Sequence, residues 1–581
     1  MDLISRRIFL GSATALGSAL ISCLARASGQ MGGNARHSGM AEQWWHKATV
    51  YQIYPASFCD SNGDGIGDIA GIISKLGYLQ RLGIDLIWLS PVYTSPMVDN
   101  GYDISDYRAI NPIFGTLPDM DSLIAAAKAR RIGIVMDLVV NHTSNQHQWF
   151  ESARLSRQSE FRDYYIWRDP KSDGSLPNDM QSAFGGPAWT YDKVSGQYYF
   201  HLFAPEQPDL NWANPHMRQA VYRMMNWWLN RGVAGFRMDV IDLIGKDIDK
   251  KITANGPMLH HYIQEMHQAA LRERDCVTVG EVWSATPESA PLYSDPSRNE
   301  LSMIFQFEHV TKFWDERLGK WKPKHVDPIG LKTVFNKWQT ALGDHAWNSL
   351  FWGNHDLPRA VSRYGNDTGY RVESAKMLAT VLHLMKGTPY IYQGEEIGMT
   401  NAGFTNISQY RDLETLNFHQ IQLKEGMSES DFLQAASANS RDNARTPVQW
   451  SDAANAGFTT GKPWIAVNKN YLQVNVKSDV DKPNGVFQRY QQLIKLRKEL
   501  PIIRHGNFKL IAETHPAVFA YQREYEGQTL VVIANFTDQP TQLKEGEIAP
   551  IEGWDLITSN QRRIDGEFSL SPYQTITVYK K

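Results

Sequence analysis

The chain has 581 residues, with 59 Lys and Arg against 62 Asp and Glu, a formal net charge of −3; nucleic-acid binding normally shows a basic excess or stripe, so no nucleic-acid partner is expected. Hydrophobic residues make up 42% and charged residues 21%, which excludes a disordered or fibrous chain and leaves enough material for a large core. Three cysteines, Cys23, Cys59 and Cys276, cannot build a disulfide framework, so stability has to come from burial.

Ser5-Arg6-Arg7-Ile8-Phe9-Leu10 opens an apolar run that reaches Ile21, too short to span a bilayer and typical of an export signal of the twin-arginine type. Leu20-Ile21-Ser22-Cys23 fits a lipobox, which would make Cys23 a lipid anchor, and Ala25-Arg26-Ala27 fits an ordinary peptidase site; both cleavage readings stand. Residues 1–27 are read as the signal and the Gly/Ser/Gln-rich residues 28–42 as a linker. No later run is long and apolar enough to cross a membrane, so the expected location is the periplasm or cell envelope of a bacterium. A monomer is expected.

Beyond the linker, short runs rich in Val, Ile, Tyr and Phe alternate with polar loops and helical stretches. The predicted strands are 48–54, 85–89, 133–139, 232–238, 276–281, 303–307, 349–353 and 388–392. Eight strands separated by helices predict an α/β fold, a closed parallel (β/α)8 TIM barrel built from 43–142 and 211–500. After the first strand, Asp60, Asn62, Asp64 and Asp68 place oxygen side chains at positions one, three, five and nine of a loop, with Gly65 at six and the Ile66 carbonyl at seven. That pattern suits a hard cation, Ca2+ or Mg2+, although Gly71 stands where an EF-hand has its bidentate Glu. The gap after the third strand is too long for one crossover helix and predicts an inserted subdomain B over 143–210. Alternating stretches at 517–522, 529–535 and 575–579 predict a C-terminal antiparallel domain over 501–581, read as a β-sandwich.

In such a barrel, chemistry belongs at the carboxyl ends of the strands. The third strand ends in Asp137-Leu138-Val139-Val140-Asn141-His142, the fourth in Gly235-Phe236-Arg237-Met238-Asp239, the fifth in Gly280-Glu281-Val282-Trp283, and the seventh in Asn354-His355-Asp356. One acid after a strand is usually a cap or loop hydrogen-bonder. Three carboxylates, Asp239, Glu281 and Asp356, gathered at one mouth with Arg237, His142 and His355 instead suit acetal cleavage, in which one acid protonates the leaving oxygen and another meets the anomeric carbon. The expected substrate is a small sugar.

These strand-end motifs resemble the conserved regions of glycoside hydrolase family 13, the α-amylase superfamily, from about Trp44 to the C-terminus. Gln207-Pro208-Asp209-Leu210-Asn211 and Arg441-Asp442-Asn443-Ala444-Arg445-Thr446-Pro447 resemble motifs of its oligo-1,6-glucosidase and α-glucosidase branch. The resemblance implies Asp239 as nucleophile, Glu281 as acid/base and Asp356 as the group holding the 2- and 3-hydroxyls. It further implies an Asp99–Arg441 pair that closes the pocket on a terminal glucose, Tyr102 as a stacking ring, His142 and His355 as donors to sugar hydroxyls, and Phe203 and Gln207 as wall residues. A structural calcium or magnesium at the Asp60 loop, and no catalytic cofactor, are also implied.

Val240, after the nucleophile, accompanies α-1,6 activity in the branch that this chain resembles, where Thr or Ala accompanies α-1,4. The expectation is a retaining exo-α-glucosidase acting on isomaltose, isomaltulose and short isomalto-oligosaccharides, with transglucosylation at high sugar. The alternatives are a sucrose isomerase or sucrose/α-1,4-glucosidase, and a non-catalytic sugar-binding or transporter-associated relative. Sucrose isomerases carry an Arg-Leu-Asp-Arg-Asp loop that residues 307–317 lack, and silent relatives lose the catalytic acids that are all present here.

Overall fold

Eight strands run parallel around an axis in the computed structural model: β1 (Val50–Ile53), β2 (Leu86–Leu89), β3 (Gly133–Leu138), β4 (Gly235–Met238), β5 (Val277–Glu281), β6 (Met303–Phe305), β7 (Ser349–Leu350) and β8 (Thr388–Tyr392). The structure describes residues 42–581 except 344, 545, 549, 550, 552 and 562–568; the signal, Cys23 and nearly all of the linker lie outside the described residues. β8 pairs with β1, Val50 opposite Tyr390, and β6 meets β7 through the single parallel bridge Ile304–Asn348, so the barrel is nearly closed. Every predicted strand is present; seven are shorter than expected and the eighth spans 388–392 as expected. The fourth starts at Gly235 because Gly232, at φ 101°, is the left-handed cap of the preceding helix.

Strand alternation explains how the interior is filled. Val50, Leu86, Trp88, Val135, Val277, Val279, Met303, Phe305 and Tyr390 form one cluster inside the barrel, while Ile87, Leu89, Ile134, Met136, Phe236 and Met238 belong to the larger core beneath the helices. Both faces are therefore apolar, as parallel sheets require. Continuing the same period of two toward the strand ends brings Asp137 after Val135, Arg237 after Gly235 and Glu281 after Val279. Gly235 itself, at φ 151°, has no room for a side chain: a Cβ there would lie 1.8 Å from the Val277 carbonyl oxygen.

The inserted subdomain carries helix Gln148–Leu155 and a three-stranded antiparallel sheet, with Gln197–Phe200 between Trp167–Arg168 and Trp189–Asp192. Buried Lys246, past β4, ties it to the barrel through Asn141 Oδ1 at 2.7 Å and Asp209 Oδ2 at 3.1 Å. Residues 393–485 form a second excursion that strand periodicity did not separate from the barrel; it contains helices Leu413–Lys424 and Glu429–Asn439 and the short turn of helix Asp442–Arg445.

The C-terminal domain is an antiparallel sheet of β9 (Asn507–Ile511), β10 (Val518–Tyr525), β11 (Gln528–Asn535), β12 (Asp555–Ser559) and β13 (Thr575–Lys580), in the order 9-10-11-13-12. It departs from the expected sandwich: among the described residues the second layer is only the ribbon Thr541–Gln542 with Ser569–Leu570. Leu543, Ile548 and Leu570 suffice to cover Val518, Ala520, Val531, Ile533, Ile576 and Val578. The opposite face packs on the barrel, where Tyr521 donates to the Val381 carbonyl at 2.8 Å.

Buried cations bound to main-chain carbonyls fasten this junction. Lys332, fully buried on the barrel helix Pro328–Ala341, spends its three ammonium protons on the carbonyls of Ala512, His515 and Val518 at 2.6, 2.9 and 2.9 Å. Arg523 binds the carbonyls of Leu384, Ile503 and Gly506. Lys332→Met would leave three buried acceptors without their donor, so it is expected to cost on the order of 3 kcal/mol. The check is a clear drop in melting temperature; an unchanged value would refute the fastening role.

Candidate active site

Arg237 lies at the centre of the barrel mouth, fully buried. Its Nη1 donates to Asp137 Oδ1 at 2.8 Å and Asp239 Oδ1 at 2.6 Å, and its Nη2 donates to Glu281 Oε2 at 2.5 Å. β3, β4 and β5 are adjacent, with Asp137 in register with Arg237, so three neighbouring strand ends deliver the four groups. A single guanidinium cannot neutralise three carboxylates. The three acids therefore crowd more negative charge around Arg237 than it can offset. Burial pushes Asp239 well above the ordinary carboxylate range, Arg237 pulls it back, and Glu281 and Asp137 push it up again.

Glu281 is held from three sides: besides Arg237, Trp283 Nε1 donates to Oε1 at 3.0 Å and the Val240 N–H donates to Oε2 at 3.1 Å. Val240 adopts φ 34° and ψ 47°, a left-handed conformation that costs a β-branched residue on the order of 1–3 kcal/mol. That strained turn is what aims its amide at the carboxylate. The Trp283 ring stacks on Phe307 with centroids 3.8 Å apart and planes 10° apart, making a flat aromatic wall next to Glu281.

Asp356, after β7, sits under two guanidinium groups, Arg445 at 3.1 Å and Arg441 at 3.3 Å, with His355 Nε2 at 3.2 Å. Burial alone would raise its pKa; the contacts with His355, Arg441 and Arg445 overcome this and hold the carboxyl well below the usual range. Burial drives His355 down to about 3, so the imidazole is neutral. With the Gln52 amide donating to Nδ1 at 2.8 Å, the proton resides on Nε2, facing Asp356.

The remaining wall residues converge from separate loops. Arg441 Nη2 reaches Asp99 Oδ1 at 3.1 Å, joining the loop after β2 to the excursion after β8. Gln207 Nε2 donates to Asp99 Oδ2 at 3.2 Å and meets His142 Nε2 at 3.2 Å. The Phe203 ring lies 5.2 Å from the His142 ring, and burial drives His142 down to about 4. Tyr102 stacks on His355 at 5.1 Å and donates its hydroxyl to Asp137 Oδ2 at 3.0 Å. Burial pushes the Asp99 carboxyl up to about 6 against the pull of Arg441.

All twelve residues expected at the sugar site thus meet at one mouth. Besides Arg445 on Asp356 and Gln52 on His355, four further contributors lie outside the expected set. Asp137 was visible at a strand end, and its register with Arg237 marks it as that residue's partner. Trp283 stood inside a quoted motif. Asp412 binds Arg441 at 2.5 Å and 2.8 Å, and Phe184 carries the Arg441 guanidinium 5.1 Å above its ring; neither lies in a recognisable pattern.

The carboxylates of the Asp60 loop are engaged by the loop's own amides and by Thr459, not by residues of the mouth. Asp60 Oδ1 accepts from the amides of Asn62 and Gly63, Asn62 Oδ1 from Asp64 and Asp64 Oδ1 from Ile66, a chain of Asx turns. Asp68 accepts from Ser61 and caps the helix Ile69–Leu82 through the Gly71 amide at 2.6 Å. Among the described residues no group of three or more His, Cys, Asp and Glu side chains converges as a metal centre. The donors, all oxygens, are nonetheless of the type a hard cation takes.

The chain matches the α-amylase catalytic-domain family over residues 52–506. It is 55% identical to the palatinase of Erwinia rhapontici over 92% of this chain and 98% of that one. Identity to the oligo-1,6-glucosidase of Bacillus cereus is 50%, over 93% and 100%. Among solved structures, the isomaltulose synthase of Klebsiella sp. LX3 superposes with a TM-score of 0.89 at 39% identity, over 93% and 100%. The chain therefore belongs to glycoside hydrolase family 13, the α-amylase family.

Proposed function

We propose that the protein is a retaining exo-α-glucosidase that hydrolyses α-1,6-linked glucosides: isomaltose, isomaltulose and short isomalto-oligosaccharides. The observation that carries the reading is the pair Asp239 and Glu281 on opposite nitrogens of Arg237, compatible with the separation of roughly 5–5.5 Å that a retaining pair needs. Asp239 attacks the anomeric carbon in its carboxylate form, which Arg237 favours against burial and the neighbouring acids. Glu281 gives its proton to the departing glycosidic oxygen, and a β-glucosyl ester forms. Glu281 then takes a proton from water, which opens the ester and releases α-glucose. Asp356, held ionised, accepts the 2- and 3-hydroxyls as the ring flattens, while Asp99 and Arg441 take the 4-hydroxyl and stop the pocket behind it.

The α-1,6 preference rests on Val240 beside the leaving sugar and on the names of the palatinase and oligo-1,6-glucosidase relatives. Sucrose isomerisation is the second reading, favoured by the superposition on isomaltulose synthase. Against it, residues 307–317 lack the charged loop of those enzymes, and Glu308 is tied to Lys337 at 2.9 Å and Trp338 at 2.9 Å. Incubation with isomaltose, isomaltulose, maltose and sucrose is expected to release glucose fastest from the first two, and isomaltulose accumulating from sucrose would overturn the assignment. Asp239→Asn and Glu281→Gln are each expected to lower kcat on isomaltose by on the order of 10²–10⁴-fold with the melting temperature retained.

Asp99 supplies a pH signature. Its carboxyl is charged only above about 6, so its grip on the 4-hydroxyl weakens as pH falls through that value. KM for isomaltose is expected to rise on the acid side, and Asp99→Asn should abolish that trend. A KM that stays flat across the range in the unsubstituted enzyme would refute the role.

The Asp60 loop is proposed to hold a structural Ca2+ or Mg2+ through Asp60, Asn62, Asp64, the Ile66 carbonyl and Asp68, with no part in the reaction. Chelation is expected to lower the melting temperature by several degrees before turnover changes, and an unchanged melting point would count against the site. Export to the periplasm or envelope, with or without lipidation at Cys23, and a monomeric state complete the proposal.

A further inference from the structure

A second cavity, of about 630 Å³, lies between the inserted subdomain and the segment that follows β4. It shares no residue with the mouth: Asp99, Asp239, Glu281, Asp356 and Arg441 are all absent from its walls. Its size falls within the range of small-molecule sites. We infer that this cavity is a second saccharide-binding site, taking a neutral α-glucan segment of two or three sugar units.

Charge selects the ligand class. Four cations, Arg157, Arg162, Arg168 and Lys246, face three carboxylates, Asp163, Asp247 and Asp249. Most are already paired: Arg168 with Asp249 at 2.9 Å, Arg157 with Asp169 at 3.2 Å and Lys246 with Asp209 at 3.1 Å. A nearly neutral, internally paired lining offers no strong field to a phosphate or a polyamine, whereas the solvent-exposed Arg157, Arg168 and Asp249 present donors and acceptors to hydroxyls. Ile166, Ile248, Pro257 and Met258, the last 44% exposed, supply apolar surface together with the rings of Tyr165 and Tyr262. Trp167 is not available for stacking, because the Arg162 guanidinium sits 3.7 Å from its ring centre. The expected binding is therefore weak and mediated by hydroxyls.

The cavity is also connected to the mouth. Lys246, in its wall, holds Asn141 Oδ1 at 2.7 Å, and the Asn141 amide donates to His142 Nδ1 at 3.1 Å. A saccharide lodged here would sit two hydrogen bonds from a residue of the sugar pocket.

This inference rests on the α-glucosidase reading for its choice of sugar, and the test separates the two. The full-length enzyme, its mouth saturated with a glucose-configured iminosugar, is titrated calorimetrically with isomaltotriose and separately with inorganic phosphate. Isomaltotriose is expected to bind the blocked enzyme weakly, and Ala213→Trp and Met258→Trp, at exposed positions on two different walls, should each weaken that binding by about ten-fold or more. Isomaltose kcat/KM in both variants should stay within about two-fold of the unsubstituted enzyme, because neither residue is at the mouth. No saccharide bound once the mouth is blocked, undiminished binding in both variants, or binding of phosphate in place of sugar would each overturn the inference. Isomaltotriose retained by a blocked enzyme that proves inactive on isomaltose when unblocked would support this site and overturn only the proposed activity.

Discussion

The mouth is organised by one guanidinium. Arg237 is buried in the barrel and touches three acids from three strands. Without it, Asp137, Asp239 and Glu281 would be like charges in a medium of low dielectric, an arrangement too costly to persist in ionised form. With it, the acids are drawn to a single point around one positive charge. The barrel alternation that fills the interior with Val and Phe also delivers these polar groups: Asp137, Arg237 and Glu281 each stand two residues beyond an inward-facing small or aliphatic one, and Asp239 stands two beyond Arg237. Packing and chemistry therefore share the same register: slipping a strand by one residue would bury the acid against a helix and open the core.

Around that centre the walls come from parts of the chain distant in sequence. Asp99 and Arg441 are 342 residues apart, and Asp356 is bound by Arg441 and Arg445 together. The inserted subdomain is fixed to the barrel by Lys246 and contributes Phe203 and Gln207, while the excursion after β8 brings Arg441 with Asp412 beneath it. Two insertions and the loop after β2 thus meet over one floor. Their mutual contacts are mostly charge-assisted hydrogen bonds with both partners buried, a class that is worth more for fixing geometry than for net stability.

The barrel and its floor could be read from the chain because apolar runs ending in polar residues repeat, and a (β/α)8 topology gives such endings a common location. Where the reading fell short, the cause is local geometry. Strand 349–353 shrank to two residues because the chain turns out of the sheet after Leu350 to carry His355 and Asp356 to the mouth. The sandwich became a sheet with a ribbon because barrel helices cover its other face, a tertiary fact with no signature in strand alternation. Asp412 lies in a polar loop like many others, and only the position of Arg441 gives it meaning. The left-handed backbone of Val240 is equally silent, since residue type argues against that conformation.

The bond between Asp99 and Arg441 has a kinetic corollary. A groove open at both ends lets a polymer slide forward after each cut, but a pocket that this ion pair closes behind the terminal glucose, as proposed, would have a single entrance. The severed monosaccharide occupies the far end and must back out past the acceptor side before another chain terminus can enter. Turnover on a long glucan is then a sequence of separate encounters, and the concentration of chain ends, not the mass of polymer, sets its rate.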